Sequence, residues 1–473
     1  MLLASAAEPA PRADDVDVAV CGGGNAALCA AIAARRAGAS VLLLERAPAA
    51  MRGGNTRHTR DIRFAHDGPN AAATGAYPEA EFLDDLLRVT GGETNRALAD
   101  LTIRESASLT DWMSEQGVRW QRALKGTLHL SSTNGFFLGG GKNLVNTYYD
   151  TAERLGVRVA YDASVVGLAR RGGGVDAVAY ERAGERHEVR CGAVVVAAGG
   201  FEADVDWLRE YWGDTAAHFR IRGTPYNTGR ALRAMYDMGA RPIGDPRGLH
   251  CVAVDARAPA FDGGIVTRID AIPFGIAVNA DALRFYDEGE DLWPKRYAVW
   301  GKLVAAQRDA TAYAIFDSQA AGGFIPSLFR PLQAATIEEL AAAVHLDGAA
   351  LARTVAEYNA AVEPGTFRAG VLDDCRTAGL VPPKSHWARR IELPPYFAYP
   401  LKPGVTFTYL GVEVDAEARV IDGDGRPFDN LFAAGECMAG NILSRGYLAG
   451  FGLTIGSVFG RIAGASAAAR VRA

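Results

Sequence analysis

The chain has 473 residues, 49 % of them hydrophobic, with 50 Lys plus Arg against 55 Asp plus Glu and a formal net charge of −5. A mildly acidic chain without a broad basic stripe excludes a general nucleic-acid binder, and the absence of any run of about 18 apolar residues excludes a membrane-spanning helix. The length supports a large core divided between two domains.

Residues 1–14 lack a basic n-region and carry too short an apolar stretch for a signal peptide, so they read as a disordered tail. The six cysteines (Cys21, Cys29, Cys191, Cys251, Cys375 and Cys437) show no CxxC spacing. They read as buried free thiols, with no metal site and a cytoplasmic location expected.

The first organised segment, residues 16–45, reads "VDVAVCGGGNAALCAAIAARRAGASVLLLE". A β-rich strand reaches Cys21, Gly22, Gly24 and Ala27 form GxGxxA, and an alanine-rich helix ends in cations before Gly38. A second strand then ends at Glu45, roughly 20 residues past the glycines. In this order each residue has a task. Gly22 permits a tight turn, Gly24 lets backbone amides approach a pyrophosphate at the helix N-terminus, and Glu45 accepts from ribose hydroxyls. A dinucleotide binds here, and the fingerprint alone leaves FAD and NAD both open.

"RGGNTRHTRDIR", residues 52–63, follows. Gly53 and Gly54 allow close approach, and Asn55 and Thr56 can donate to phosphate or to a flavin ring. Arg57, His58, Arg60 and Arg63 exceed what a dinucleotide needs. They either serve an anionic substrate through bidentate guanidinium forks or, for Arg60 and Arg63, pair with Asp61 and Asp67 at the surface. Tyr148 and Tyr149 read as core.

Residues 156–200 read as a β-meander ending in a strand and Ala198-Gly199-Gly200. Residues 242–405 hold most of the 21 prolines and none of the glycine fingerprints, and 345–363 reads as an amphipathic helix with Leu351, Val355 and Tyr358 on one face. A third glycine element, residues 429–468, carries Gly435-Glu436, a broken loop and a helix starting near Leu453.

Together, "GGGNAALCAAIAA", "RGGNTRHTRDIR", "RFYDEGEDLWPKRY" and "PGVTFTYLGV" resemble the fumarate reductase/succinate dehydrogenase flavoprotein superfamily, and within it are most similar to tricarballylate dehydrogenases. The resemblance covers about residues 16–470. It implies an α/β fold: a split Rossmann-like FAD-binding domain of the glutathione-reductase type, 15–241 plus 406–473, around an inserted α+β capping domain, 242–405. It further implies non-covalent FAD, since Asn55 stands where covalent relatives carry the attaching His and His58 is off register. The implied cofactor contacts are Gly22, Gly24, Asn25, Ala26, Glu45, Arg46, Gly54, Asn55, Thr56, Val165, Ala198, Gly199, Gly435, Glu436, Leu453 and Thr454.

For the substrate the resemblance implies Arg57, His58, Thr408, Tyr409, Arg445 and Tyr447. A carboxylate is held by Arg445 and by the cap residue His250, and a proton is exchanged by Arg296, or by Lys295 if the alignment shifts by one. Glu288 and Glu290 would complete a relay. Arg445 sits among glycines and apolar residues, where an unpaired guanidinium would be costly. Arg296, in a charge-rich run, also reads as a solvated cation.

The implied reaction is oxidation of a C–C bond next to carboxylates, tricarballylate to cis-aconitate or a similar polycarboxylic acid, with a separate electron acceptor or acceptor protein. Thr406-Phe407-Thr408 replaces a second substrate His of soluble fumarate reductases, which favours a differently shaped acid. Reduction of an unsaturated acid, a ketosteroid-type Δ1-dehydrogenase using Tyr447, and a non-enzymatic FAD protein are the alternatives.

Overall fold

The structure, a computed structural model, describes residues 15–122, 130–261, 263 and 265–472. The expected tail over 1–14 lies outside them.

β1 (Val16–Cys21), α1 (Asn25–Arg36) and β2 (Val41–Leu44) form a βαβ unit with β1 and β2 parallel, Val18 opposite Val41. Both strands lie inside the fold, which is why they read as near-continuous Val/Leu runs rather than as alternation. α2 (Gly140–Arg154) leads to β3 (Arg158–Ala160), and a meander follows of β4 (Ser164–Arg171), β5 (Gly174–Arg182) and β6 (Glu185–Val196). β6 belongs to two layers: Glu185–Arg190 pairs antiparallel with β5, and Cys191–Val196 pairs parallel with β1.

The inserted segment contributes β7 (Leu249–Asp255), β8 (Ile276–Asn279), β9 (Ala312–Asp317), α3 (Gly348–Ala361) and β10 (Tyr396–Thr408). The chain then returns through β11 (Arg419–Ile421) and β12 (Pro427–Ala433) to α4 (Phe451–Arg470). The main sheet runs β11–β12–β6–β1–β2–β3, and the second runs β7–β10–β9–β8. Leu351, Val355 and Tyr358 of α3 pack with Ile276, Val278 and Ile315 into a separate small core, as the amphipathic spacing requires.

This is an α/β fold with one largely parallel sheet and a second, largely antiparallel one. The expected junctions at 241/242 and 405/406 do not fall in linkers. Pro242–Ile243 pairs with Gly411–Val412, residue 405 lies inside β10, and Arg220–Ile221 from the first segment joins the second sheet. The two sheets are thereby tied at the junction.

α4 lies against α1 through small residues. A Cβ added at Gly460 would stand 2.5 Å from the Ala26 carbonyl oxygen, and one at Gly464 2.2 Å from that of Ala30. Asn25 Nδ2 donates to Leu453 O at 3.1 Å and to Ser457 Oγ at 3.0 Å, so the start of α1 is locked to the last helix. The described cysteines are all free thiols, five of them buried and Cys191 half-buried.

Candidate active site

A cleft runs from the N-terminus of α1 to the second sheet, lined at one end by Gly22–Ala26 and Glu45 and at the other by His250, Trp293 and Tyr447. Its floor is the turn after β1. Gly22 has φ +115°, and a Cβ there would stand 2.3 Å from the Ala197 carbonyl oxygen, so only glycine fits. Gly24 caps α1 with no side-chain hydrogen bond, and no acid occupies the first helical turn, which leaves the positive end of the helix dipole to a ligand anion. The donor set and the cradle fit FAD.

Of the residues named from sequence for the cofactor, all line this cleft except Thr454, whose hydroxyl instead donates to the Arg63 carbonyl at 2.5 Å. Glu45 is buried, and its carboxylate accepts from the amides of Ala47 at 2.8 Å and Gly53 at 3.2 Å; burial raises its pKa and those amides oppose the shift. Arg46 donates to the Tyr226 carbonyl at 2.9 Å and to the Thr228 hydroxyl. Asn55 is the hub of the crossover loop, donating to Glu202 and to the Thr406 carbonyl, each at 2.6 Å, and accepting from the Thr224 amide at 2.8 Å. Tyr149, read as core, also reaches the cradle, donating to Gly23 O at 3.1 Å.

The far end of the cleft gathers Arg60, Arg222 and Arg268 with His250, Tyr297 and Tyr447. Each arginine comes from a different element. Arg60 precedes the short strand Asp61–Arg63, Arg222 follows Arg220–Ile221, and Arg268 lies between β7 and β8. Arg268 is held bidentately by Asp270 at 2.6 and 2.8 Å, and Trp293 Nε1 donates to the same carboxylate at 2.7 Å. Arg222 donates to the Thr406 hydroxyl at 2.8 Å. Arg60 Nε is buried without a partner among the described residues, and the guanidinium lies 5.8 Å over the Phe136 ring.

His250 stacks on Tyr447 with ring centroids 3.8 Å apart and meets Tyr297 edge-on at 5.7 Å. Burial, with Arg222 and Arg268 beside it, holds its pKa well below 6.5. The imidazole is therefore neutral, and its buried Nε2 has no hydrogen-bond partner among the described residues. Burial and the repulsion of Arg268 lower the Arg222 pKa to about 10. Burial likewise pushes the Asp61 carboxyl up, against the pull of Arg60, Arg268, Arg63 and Arg222.

Other residues chosen from sequence lie elsewhere. Arg445, expected to hold a substrate carboxylate among apolar residues, is at the surface in an ion pair with Glu93, its side chain 66 % exposed. Arg296 pairs with Glu290 and the Tyr286 hydroxyl away from the cleft lining. Lys295 Nζ donates to Asp85 at 2.6 Å, and Glu288 is buried against Arg284 and the Ala277 amide, so the imagined relay has no connected path. Arg57 points to the Ala50 carbonyl at 3.2 Å. Thr408 and Tyr409 are buried, the first donating to Glu436 and the second to the Gly446 carbonyl at 2.7 Å. His58 and Tyr447 do line the cleft. Arg63 is not at the surface either; it is buried, donating to the Tyr77 hydroxyl at 2.6 Å and to Ala449 O at 3.0 Å.

Arg222, Arg268 and Tyr297 were not singled out from sequence. "GIVTRIDAIPF" carried the available hint, a charged pair at i and i+2 inside an apolar run, where a buried ion pair is the economical arrangement.

Residues 17–450 match the FAD binding domain family. The chain belongs to that family. It is an FAD-dependent oxidoreductase, and FAD is the dinucleotide that the cradle takes. It is 26 % identical to the probable fumarate reductase Ifc3 of Shewanella frigidimarina (strain NCIMB 400), over 96 % of this chain and 75 % of that one. Two further curated relatives are about twice as long, the chain spanning 50 % and 48 % of their length.

Among solved structures, the open conformation of a flavocytochrome c3 fumarate reductase superposes with a TM-score of 0.73 at 22 % identity, covering 97 % of this chain and 79 % of that one. 3-Ketosteroid delta1-dehydrogenase from Sterolibacterium denitrificans gives 0.74 at 17 % identity, covering 96 % and 100 %. At these identities the two structures speak for the fold alone. Among the described residues, no helix is long and apolar enough to cross a membrane.

Proposed function

We propose that the protein dehydrogenates a C–C bond flanked by carboxylates, converting tricarballylate to cis-aconitate or acting on a closely similar polycarboxylic acid. One substrate carbon loses a proton and its neighbour loses a hydride, and FAD in the cleft supplies the hydride acceptor. A separate electron acceptor then returns the cofactor to its oxidised form.

The observation that carries this reading is the convergence of Arg60, Arg222 and Arg268 on the cofactor cleft. Buried guanidiniums are costly unless matched by anions, and their planar forks match carboxylates bidentately. Three guanidiniums in one chamber, that of Arg268 already engaged on one edge by Asp270, suit an acid with more than one carboxylate. In this reading Asp270 and Trp293 orient Arg268, Thr406 orients Arg222, and neutral His250 offers a hydrogen bond without adding charge. Arg222, its pKa lowered to about 10, accepts the substrate proton when it is in its neutral form, the role that the resemblance gave to Arg296. The Tyr447, Phe407 and Tyr297 rings help to exclude water.

The relationship to a probable fumarate reductase favours, as a second reading, the reverse reaction on an unsaturated acid. The same arginines argue against a steroid, whose apolar body offers few acceptors to polar groups lining the chamber.

The test is anaerobic mixing of the yellow holoprotein with tricarballylate, succinate and a 3-ketosteroid. Bleaching by tricarballylate is expected. Bleaching by the steroid with every acid silent would overturn the reading. Reoxidation of dithionite-reduced protein by cis-aconitate or fumarate, with no acid able to bleach it, would select the reverse reaction.

A further inference from the structure

Glu202 and Glu436 form a buried acid pair in the wall of the cofactor cleft. They come from distant turns, one after β6 and one after β12, and are 0 % and 8 % exposed. Glu436 Oε1 lies against the turn that carries Glu202: a Cβ on Gly200 would stand 2.3 Å from it, and the Thr408 hydroxyl that donates to it accepts from the Phe201 amide at 3.4 Å, so each carboxyl feels the other's charge. All the surrounding donors go to one oxygen of each. Asn55 and Asn227 donate to Glu202 Oε1 at 2.6 and 2.7 Å, and the Thr408 amide and hydroxyl donate to Glu436 Oε1 at 2.7 and 3.1 Å. Glu202 Oε2 is buried and accepts from nothing among the described residues.

Two neighbouring carboxylates cannot both stay ionised in a dry site, and a single proton between them satisfies the orphan oxygen. The titratable neighbours supply no alternative charge. Tyr409 and Cys437, which feel Glu436, are kept neutral by burial. Burial and the Glu202 charge push the Glu436 carboxyl well up, which puts the proton on the member that lines the cleft.

We infer that Glu202 and Glu436 share one proton and act as a single-charge positioning unit beside the cofactor, so that the cleft wall carries one negative charge where two carboxylates stand. The consequence is electrostatic. A second charge beside FAD would penalise the reduced, electron-rich cofactor, and the shared proton removes that penalty. The inference rests on FAD occupying the cleft and is independent of which acid is oxidised.

Two readouts test it on the holoprotein. The first is the infrared carboxyl stretch at pH 8, assigned by its shift in D₂O. The wild type should show a buried protonated carboxyl that is lost in both Glu202→Gln and Glu436→Gln, because each amide then donates to the remaining carboxylate. The second is the flavin midpoint potential. Each single variant keeps one negative charge and should stay close to wild type, whereas the double variant, with none, should favour the reduced form by tenfold or more, about 30 mV for a two-electron couple.

If both acids were ionised in the wild type, each single change would raise the potential by about half the effect of the double, and no band would be lost. That result would overturn the inference. The infrared readout holds whether or not a variant retains its flavin.

Discussion

Lys295 Nζ donates to Asp85 Oδ1 at 2.6 Å, joining the inserted segment to the helix Glu79–Thr90 of the dinucleotide-binding part. Asp85 is 2 % exposed and also accepts from the Tyr77 hydroxyl at 2.9 Å, with Arg63 at 3.9 Å. The two halves that enclose the cleft thus meet at a buried carboxylate. Removing its charge strands two cations, and breaking a buried pair of this kind costs about 3–5 kcal/mol. Asp85→Asn should lower the unfolding free energy measured in urea by that amount, while Lys295→Met loses less, because Arg63 and Tyr77 remain. Equal loss in both variants would show that Lys295 is the only partner of consequence.

Arg222→Gln and Arg268→Gln should each weaken acid binding by about 1.5–3 kcal/mol, the usual worth of a charge-assisted hydrogen bond. Arg445→Ala should leave the affinity unchanged, since that side chain is spent on Glu93 at the surface. Titration of flavin absorbance with the acid reads all three. A large loss in Arg445→Ala with none in Arg222→Gln would return the carboxylate site to the C-terminal loop.

His250 has a folded-state pKa well below 6.5. Between that value and 6.5 the unfolded chain binds a proton that the folded chain does not, so this residue makes stability rise with pH through the window. Its contribution is complete above pH 6.5 and is lost as the pH falls towards the folded-state value. His250→Gln should flatten the wild-type slope of urea midpoint against pH between 5 and 7. An unchanged slope would mean that the imidazole ionises freely in the fold.

Gly22 and Gly24 should fail differently. An alanine at Gly22 meets the Ala197 carbonyl at 2.3 Å in a left-handed conformation, so Gly22→Ala should fold poorly. A Cβ at Gly24 would stand 3.3 Å from the Thr56 hydroxyl and 3.5 Å from the Gly53 carbonyl oxygen, so Gly24→Val should fold but block the pyrophosphate and purify colourless. Circular dichroism melts and the visible flavin absorbance separate the two outcomes. In the wild type, acid precipitation should leave the flavin in the supernatant, as non-covalent binding requires.

The dinucleotide half was legible because its determinants are local. Val16 to Glu45 carries strand, glycine turn, helix and acid within one βαβ unit, and each residue's role follows from its neighbours in the chain. The loop at Asn55 and the turn at Gly435-Glu436 were legible for the same reason. The choice among cations was not. Arg296 and Arg445 stand in suggestive sequence surroundings, yet Glu290, Tyr286 and Glu93 neutralise them in space, and Glu93 is far from Arg445 along the chain.

From its sequence alone, then, this protein is determined to bind a dinucleotide by a glycine-turn cradle and to carry more cations near that cradle than the cofactor uses. Only the tertiary structure decides which cations face the cleft. Arg60, Arg222 and Arg268 come from three elements that meet only when the second sheet closes over the first, and His250 loses its charge only because that closure excludes water from it. Helix and strand periodicity are written over a few neighbouring residues, whereas burial and charge pairing depend on contacts hundreds of residues apart, such as Asn25 with Ser457.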